Sequence, residues 1–464
     1  MRERYDVAIA GGGPAGSTAA IVLARAGFSV CVLEKDQHPR FHIGESILPR
    51  TTPLLKKLGL EEAVLGLTHV PKYGAEFGFG NDHKTRTFLF SDGLIPGSPV
   101  FNIERSEFDK LLLDKARQAG AEVYEQRPVK GITKLTEGDV EVATADGPVR
   151  ARLLLDASGH GTVVGRALNL RRSFQNPELQ KVAYFQHFEN VERPAGRDTG
   201  HPGIFMCAEG WLWMIGLSQT KTSVGFVTRP SFVRALDVAP SRLLQWAIAR
   251  CPVVRHRMRD ATGSAENIVL SDFSYRCRPY AGPGYLMIGD AACFLDPIFS
   301  TGVTLAMMGS LHAAGLAARM LRGELSPKTV RRQHCRYIER GTEPFWRLIR
   351  AYYKHSFREL FVHGTGPLQM PGAIISVLAG QVFPQQPWKL RWRHRAFDFC
   401  VWLQQYRELS PHRAPFYLVD EPPVHLPLIT SLGTGSVPEV DRPQVPAGQP
   451  EVPAGAMGAR ASLA

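Results

Sequence analysis

The chain has 464 residues, enough for a large core and two closely packed domains, and its 44% hydrophobic and 21% charged content is that of a soluble globular protein. No apolar run reaches membrane-spanning length, no apolar signal segment precedes the first strand pattern, and seven scattered cysteines never form C-x-x-C, so a membrane helix, a zinc site and a disulfide framework are not expected and the cytosol is. A formal net charge of +12 suits an anionic cofactor, an acidic protein partner or a membrane surface, while nothing beyond charge points to nucleic acid.

The first segment reads as a nucleotide-binding βαβ unit. Tyr5 to Ala10 has strand composition, Gly11-Gly12-Gly13-Pro14-Ala15-Gly16 follows it, Ser17 to Ala26 is helical, and Gly27 ends that helix. Val30 to Leu33 forms the next strand and Glu34 closes it, about 20 residues after the glycines, where a carboxylate can accept ribose hydroxyls. Gly11 permits the tight turn, Gly13 lets backbone approach a pyrophosphate, and Gly16 allows close packing of helix on strand.

Two later segments extend this site. Leu153 to Leu155 is a strand ending in Asp156-Ala157-Ser158-Gly159, and Tyr285 to Ile288 is a strand that ends in Gly289-Asp290 and is expected to run into a helix. A second glycine cluster so far downstream points to FAD rather than NAD, with Asp290 placed to hold a ribityl chain. Between them, Trp211 and Trp213 in Gly210 to Gly216 alternate on a strand and share one face, as a rigid wall beside the cofactor or as ordinary core. Arg152 to about Glu266 reads as strand-rich.

Four motifs occur in order: Phe41 to Pro49 with Gly44-Glu45-Ser46, Lys72 to Phe77, the Gly-Trp-x-Trp-x-Ile run from Gly210, and Asp296 to Val303. On these, together with the glycine clusters, the chain resembles the flavin-dependent halogenases, within the larger class built on the para-hydroxybenzoate hydroxylase fold. The branch it resembles acts on phenolic, pyrrolic or carrier-tethered substrates. The resemblance runs from the amino terminus to about Leu321, and more loosely to about Pro427.

That resemblance implies an α/β fold: a discontinuous Rossmann-like FAD-binding domain over residues 1–326, with an inserted strand-rich substrate portion at about 70–100 and 165–275. A helical cap follows over 327–432. It implies FAD contacts from Gly11, Gly13, Pro14, Ala15, Gly16, Glu34, Lys35, Glu45, Ser46, Arg105, Asp156, Gly159, Gly289 and Asp290. Taken alone, Arg105 suits an exposed ion pair better. Reduced FAD, oxygen and chloride or bromide would yield hypohalous acid, with a separate NAD(P)H-dependent reductase supplying FADH2, because no second complete dinucleotide motif is present.

Ser300, Thr301 and Gly302 before a helical run from Thr304 to Arg322 would form the halide nest, although Ser300 or Thr301 also suits simple capping. Lys72 would carry electrophilic halogen to an electron-rich ring, where a surface lysine is the alternative. Trp211 and Trp213 would keep organic substrate from the flavin. Two positions depart from the family pattern: Gly216 stands where a proline is usual, and Phe299 where tryptophan-acting members carry a glutamate, so free tryptophan is not the expected substrate. Direct hydroxylation or epoxidation, or reduction of isoprenoid double bonds, are the competing activities.

From Pro327 onward, amphipathic basic segments such as Phe345 to Lys354 suggest a helical cap over the substrate entrance. The run Lys389 to Arg395 suits docking to an acidic carrier protein or a lipid surface, or a solvated helix face. Beyond Gly433 the Pro, Ala and Gly content predicts a disordered tail.

Overall fold

A computed structural model describes residues 2–419, apart from 83–84, 175, 177–178, 264–266, 272 and 384. The tail expected from Gly433 lies outside the described residues. Strand Tyr5–Ala10 is the hub of a sheet, pairing in parallel with Val30–Leu33 on one side and Gly147–Asp156 on the other. Strands buried on both faces carry continuous apolar runs, which is why Val7 to Ala10 and Val30 to Leu33 lack polar alternation. The sheet continues to Glu122–Tyr124 at one edge and to Tyr285–Met287 and Ala281–Gly282 at the other. Helices Pro14–Arg25, Arg105–Gln118 and Gly302–Leu321 share its core. Four parallel strands thus end along one rim, at Gly11, Glu34, Asp156 and Gly289, the place where such folds bind ligands.

A second sheet runs in the order Thr262–Gly263, Val182–Glu189, Thr222–Thr228, Gly210–Gly216, Gly203–Met206, Gly74–Phe79 and Thr85–Leu89. Its alternation splits cleanly between two cores. Trp211, Trp213, Phe77, Phe79 and Phe185 pack against helices Pro327–Tyr352, His355–His363 and Met370–Leu378 through Phe345, Tyr352, Phe361 and Ile374. Leu212, Met214 and Phe226 face the other way, against Leu243, Leu244 and Val254. The last three lie on short helices, so the strand-rich reading of Arg152 to Glu266 missed the helices Pro230–Ala235, Leu243–Arg250 and Pro252–Arg257. Two of them open on a proline at the first helical turn, but six to eight residues are too few to show a period.

One connection also differs from expectation. After Tyr285–Met287 the chain makes a tight turn at Gly289–Ala291, a short pairing at Cys293–Phe294 and a 3-10 turn at Pro297–Phe299, and no α-helix starts until Gly302. Left-handed Gly289 and Ser300, with Pro297 between them, interrupt helical propagation. No helix among the described residues is long and apolar enough to cross a membrane.

Candidate active site

At the nucleotide rim Gly11 has φ +103°, and a β-carbon there would sit 2.4 Å from the carbonyl oxygen of Ala157, so only glycine fits this crossing. Pro14 opens the helix at its first position, where its missing N–H is no loss. A β-carbon on Gly289 would lie 3.2 Å from those of both Ala15 and Ala306, which places the two distant glycine clusters against one another. Gly159 lies in the tight turn just beyond Asp156. Glu34 is buried, and its carboxylate accepts from the Gly12 amide at 2.6 Å and the Asp36 amide at 2.9 Å. Lys35 extends into solvent beside Asp36.

Arg105 is buried and not the exposed ion pair of the alternative reading. Its Nε and Nη2 donate to Asp109 at 2.7 and 2.9 Å, and its Nη1 donates to the carbonyl of Ile43 at 2.7 Å. Burial works against the Asp109 charge, but Arg105 overrides it and holds this carboxyl below the usual range. Burial pushes Asp290 up to about 6, against the attraction of Arg105. Asp156 turns its oxygens back on the chain, accepting from the Ser158 amide and hydroxyl and, at 2.7 Å, from the Val164 amide. It fixes the turn that follows it.

The segment Phe41 to Pro49 is the seam of the site. Its Ile43 carbonyl holds Arg105 on the nucleotide side, and its Glu45 carboxylate meets His187 Nε2 of the second sheet. Its Ser46 and Ile47 hold Lys72. Lys72 ends strand His69–Lys72, which pairs with Val100–Ile103, and it is 2% exposed. The ammonium donates to Ser46 Oγ at 2.9 Å and the Ile47 carbonyl at 3.0 Å, with the Phe90 ring 5.2 Å away. Burial pulls its pKa down from 10.5 to about 7. The lysine is thus a buried amine able to be neutral near physiological pH, not a surface cation.

Trp211 and Trp213 share one face of their strand with centroids 5.8 Å apart. Trp213 lies across Gly225 of the neighbouring strand, where a β-carbon would come within 2.3 Å of the indole, and its Nε1 donates to Ser223 Oγ at 3.1 Å. Trp211 Nε1 donates to Tyr353 at 3.2 Å, and the Tyr353 hydroxyl donates to Asp296 at 2.8 Å. Asp296 in turn accepts from the Ile298 amide at 2.9 Å, capping the turn Pro297–Phe299 that leads into Ser300. Burial pushes Asp296 up to about 6 in spite of these two hydrogen bonds. A continuous chain of hydrogen bonds therefore ties the indole wall to the Ser300-Thr301-Gly302 loop.

In that loop Ser300 has φ 54°, Thr301 is buried, and no side chain caps helix Gly302–Leu321, which leaves the first-turn amides without partners inside the helix. Simple capping by Ser300 or Thr301 is not what the loop does. Phe299 packs edge-on against Tyr352 at 5.6 Å. At Gly216 a β-carbon would come within 2.0 Å of the Arg193 guanidinium, so Arg193 fills the space a proline ring would need.

Sequence reasoning missed Asp109, His187, Tyr353, Asp296 and Arg193. Asp109 had a local signal, four residues after Arg105 on one helix. His187, Tyr353 and Arg193 meet their partners only through the tertiary fold, while Asp296, already the start of a sequence motif, also caps the Ile298 amide two residues on.

Residues 6–98 and 90–360 match the tryptophan halogenase family model. The chain belongs to the tryptophan halogenase family. It is 32% identical over 394 residues to a 1H-pyrrole-2-carbonyl-[peptidyl-carrier protein] brominase of Pseudoalteromonas luteoviolacea, covering 83% of this chain and 94% of that one. It is 29% identical over 381 residues to the corresponding chlorinase of Pseudomonas fluorescens, covering 75% and 84%. Among solved structures, the flavin-dependent brominase Bmp2 superposes with a TM-score of 0.75 at 29% identity, covering 85% of this halogenase and 98% of Bmp2. The myxobacterial chondrochloren halogenase CndH gives 0.71 at 28%, covering 86% and 98%. The halogenase is accordingly an FAD-dependent oxidoreductase that works with chloride or bromide.

Proposed function

We propose that this halogenase places chlorine or bromine on a pyrrolic or phenolic acyl group borne on a carrier protein, with Lys72 as the halogen-transferring group. The observation that carries the reading is the Lys72 amine itself: buried, held by Ser46 and Ile47, and shifted to about 7. The rim residues fit a flavin dinucleotide, since the Gly11 crossing and the Gly289 contact keep the cradle free of side chains. Gly11, Gly13, Pro14, Ala15, Gly16 and Glu34 would hold its adenosine and pyrophosphate, with Arg105 and Asp290 toward the ribityl chain. When bound and reduced, the flavin supplies with oxygen the two-electron oxidation that converts halide to hypohalous acid.

The chain's own residues do the rest. Amides of Thr301 and Gly302 at the start of helix Gly302–Leu321 gather halide, as oriented N–H groups do for anions, with Ser300 shaping the loop while its own amide donates to the Pro297 carbonyl. Trp211 and Trp213, locked by Ser223 and Tyr353, keep the organic ring away from the oxidant. The neutral Lys72 amine takes halogen from hypohalous acid and releases water, then passes it to the ring carbon, whose proton departs as the amine is regenerated. A separate NAD(P)H-dependent reductase delivers the reduced flavin, and the reaction belongs in the cytosol. Phe299 in an apolar contact with Tyr352 offers no carboxylate to a free amino acid.

The test supplies chemically reduced FAD, oxygen and chloride or bromide to a pyrrole-2-carbonyl thioester, and reads the halogen isotope pattern by mass spectrometry. Halogenated product lost in Lys72→Ala with FAD binding intact supports the reading. Oxygenated product without halogen overturns it in favour of a monooxygenase.

A further inference from the structure

Helix Trp388–Leu403 has its inward face where it is needed, with Leu390, His394, Phe397 and Val401 buried. Its outward face is unusual. At one residue per ~100°, Trp388, Arg391, Arg395, Phe399 and Trp402 fall within about a quarter-turn of one another on the solvent side. Tyr406 continues the line in the turn beyond. Trp388 is 71% exposed, Phe399 59%, Trp402 48% and Tyr406 73%. Phe399 and Trp402 lie 5.5 Å apart and Trp402 and Tyr406 5.2 Å, so the rings form a ladder along the surface.

A surface helix normally puts polar residues here, and contiguous exposed aromatics mark a contact surface. Arg391 and Arg395 stand in the same line, and neither has a carboxylate partner among the described residues. From Trp388 to Leu409 there are five Lys or Arg against two Asp or Glu, which favours an acidic partner.

The position of the stripe adds a second argument. Its helix packs on Met370–Leu378, whose Gly372 carbonyl and Ser376 hydroxyl bind the Leu94 and Ile95 amides, each at 2.8 Å. Those residues follow the turn carrying Phe90, the ring that faces the Lys72 ammonium. Helix Met370–Leu378 thus links the helix that carries the stripe to the segment over Lys72.

We propose that this stripe docks the acidic carrier protein that brings the substrate, with Trp402 and Phe399 as apolar anchors and Arg391 and Arg395 meeting its carboxylates. The inference rests on the carrier-tethered reading above. Trp, Tyr and Arg are the side chains that most often dominate protein interfaces, and the packed link from the stripe's helix to the segment over Lys72 suits delivery of a tethered acyl group, for which a lipid surface gives no reason.

The experiment compares two probes, pyrrole-2-carbonyl on an acidic peptidyl carrier protein and the same acyl group as a free pantetheine thioester. The full-length chain is assayed beside Arg391→Glu/Arg395→Glu and Trp402→Ser. The expected result is a KM for the carrier-bound probe raised about tenfold or more in both variants, growing weaker with added salt in the wild type, while turnover of the free thioester is unchanged. Unchanged carrier KM in variants of an active wild type overturns the docking surface and leaves the tethered-substrate reading standing. A wild type that halogenates the free thioester but never the carrier-bound one overturns both. Carrier KM unchanged while binding to phosphatidylserine vesicles is lost assigns the stripe to a membrane instead.

Discussion

Replacing Lys72 by methionine keeps the length and volume of the side chain and removes only the amine. In the unfolded chain this lysine takes up its proton below 10.5, whereas in the folded chain it does so only below about 7. Folding is therefore penalised over the interval between, and the penalty grows as pH falls from 10.5 until it is complete below 7. At pH 7 it amounts to about 4 kcal/mol. Against this, methionine abandons the Ser46 hydroxyl and the Ile47 carbonyl, each worth about 1 kcal/mol. Lys72→Met should thus be more stable than the wild type by roughly 2 kcal/mol at neutral pH, a rise of a few degrees in Tm, and the gain should vanish at about pH 9 and reverse by about pH 10.

The same substitution should abolish halogenation while FAD still binds, because an amine with a pKa near 7 is about half neutral at pH 7 and an ordinary lysine only about one part in three thousand. In the wild type, single-turnover halogenation with preformed hypohalous acid should rise between pH 6 and 8 and then level off. Thermal melts across pH, flavin absorbance and mass spectrometry of product together decide the matter. Halogenation that survives in Lys72→Met, a rate that falls between pH 6 and 8, or a variant less stable than wild type at pH 7 would each refute the account of a buried amine working in its neutral form.

Three further outcomes are expected. Gly216→Pro should displace the Arg193 guanidinium at a cost of about 1 kcal/mol or less, because the end of that long side chain can swing aside, and Arg193→Ser should show little coupling to it in the double variant, measured by denaturant melts. Tyr353→Phe should cost about 1 to 3 kcal/mol because it strands the Trp211 indole N–H and the Asp296 carboxylate, and hydrogen peroxide released without halogenated product should increase, read by a peroxidase-coupled assay. Ser300→Val should raise the KM for chloride, since a β-branched residue is strained at φ 54° and would move the first-turn amides, whereas Ser300→Gly should leave it near the wild-type value.

What the sequence made legible follows from how local each determinant is. The glycine loop, its helix and the closing acid lie within one βαβ unit, and the shared face of Trp211 and Trp213 follows from strand alternation. Lys72 stood out because of the motif around it, but nothing in the sequence says that Ser46 and Ile47, about 25 residues earlier, receive its protons. Asp156 was legible as a carboxylate at a strand end and not as the anchor of the following turn, because a strand-end acid has the same pattern in either role. Tyr353 and Asp296 are 57 residues apart and His187 and Glu45 are 142 apart, so their pairing depends on how the helical region and the second sheet close over the seam. The aromatic stripe on Trp388–Leu403 was visible only as a basic run until the helix phase showed which side chains face outward.

The Arg193 and Gly216 contact also constrains the routes by which this chain can change. A proline at 216 would displace the end of the Arg193 side chain, which is long and partly exposed and can swing aside. A change at 216 is therefore met by a new course for the Arg193 side chain, so the two positions are best followed together when related chains are compared.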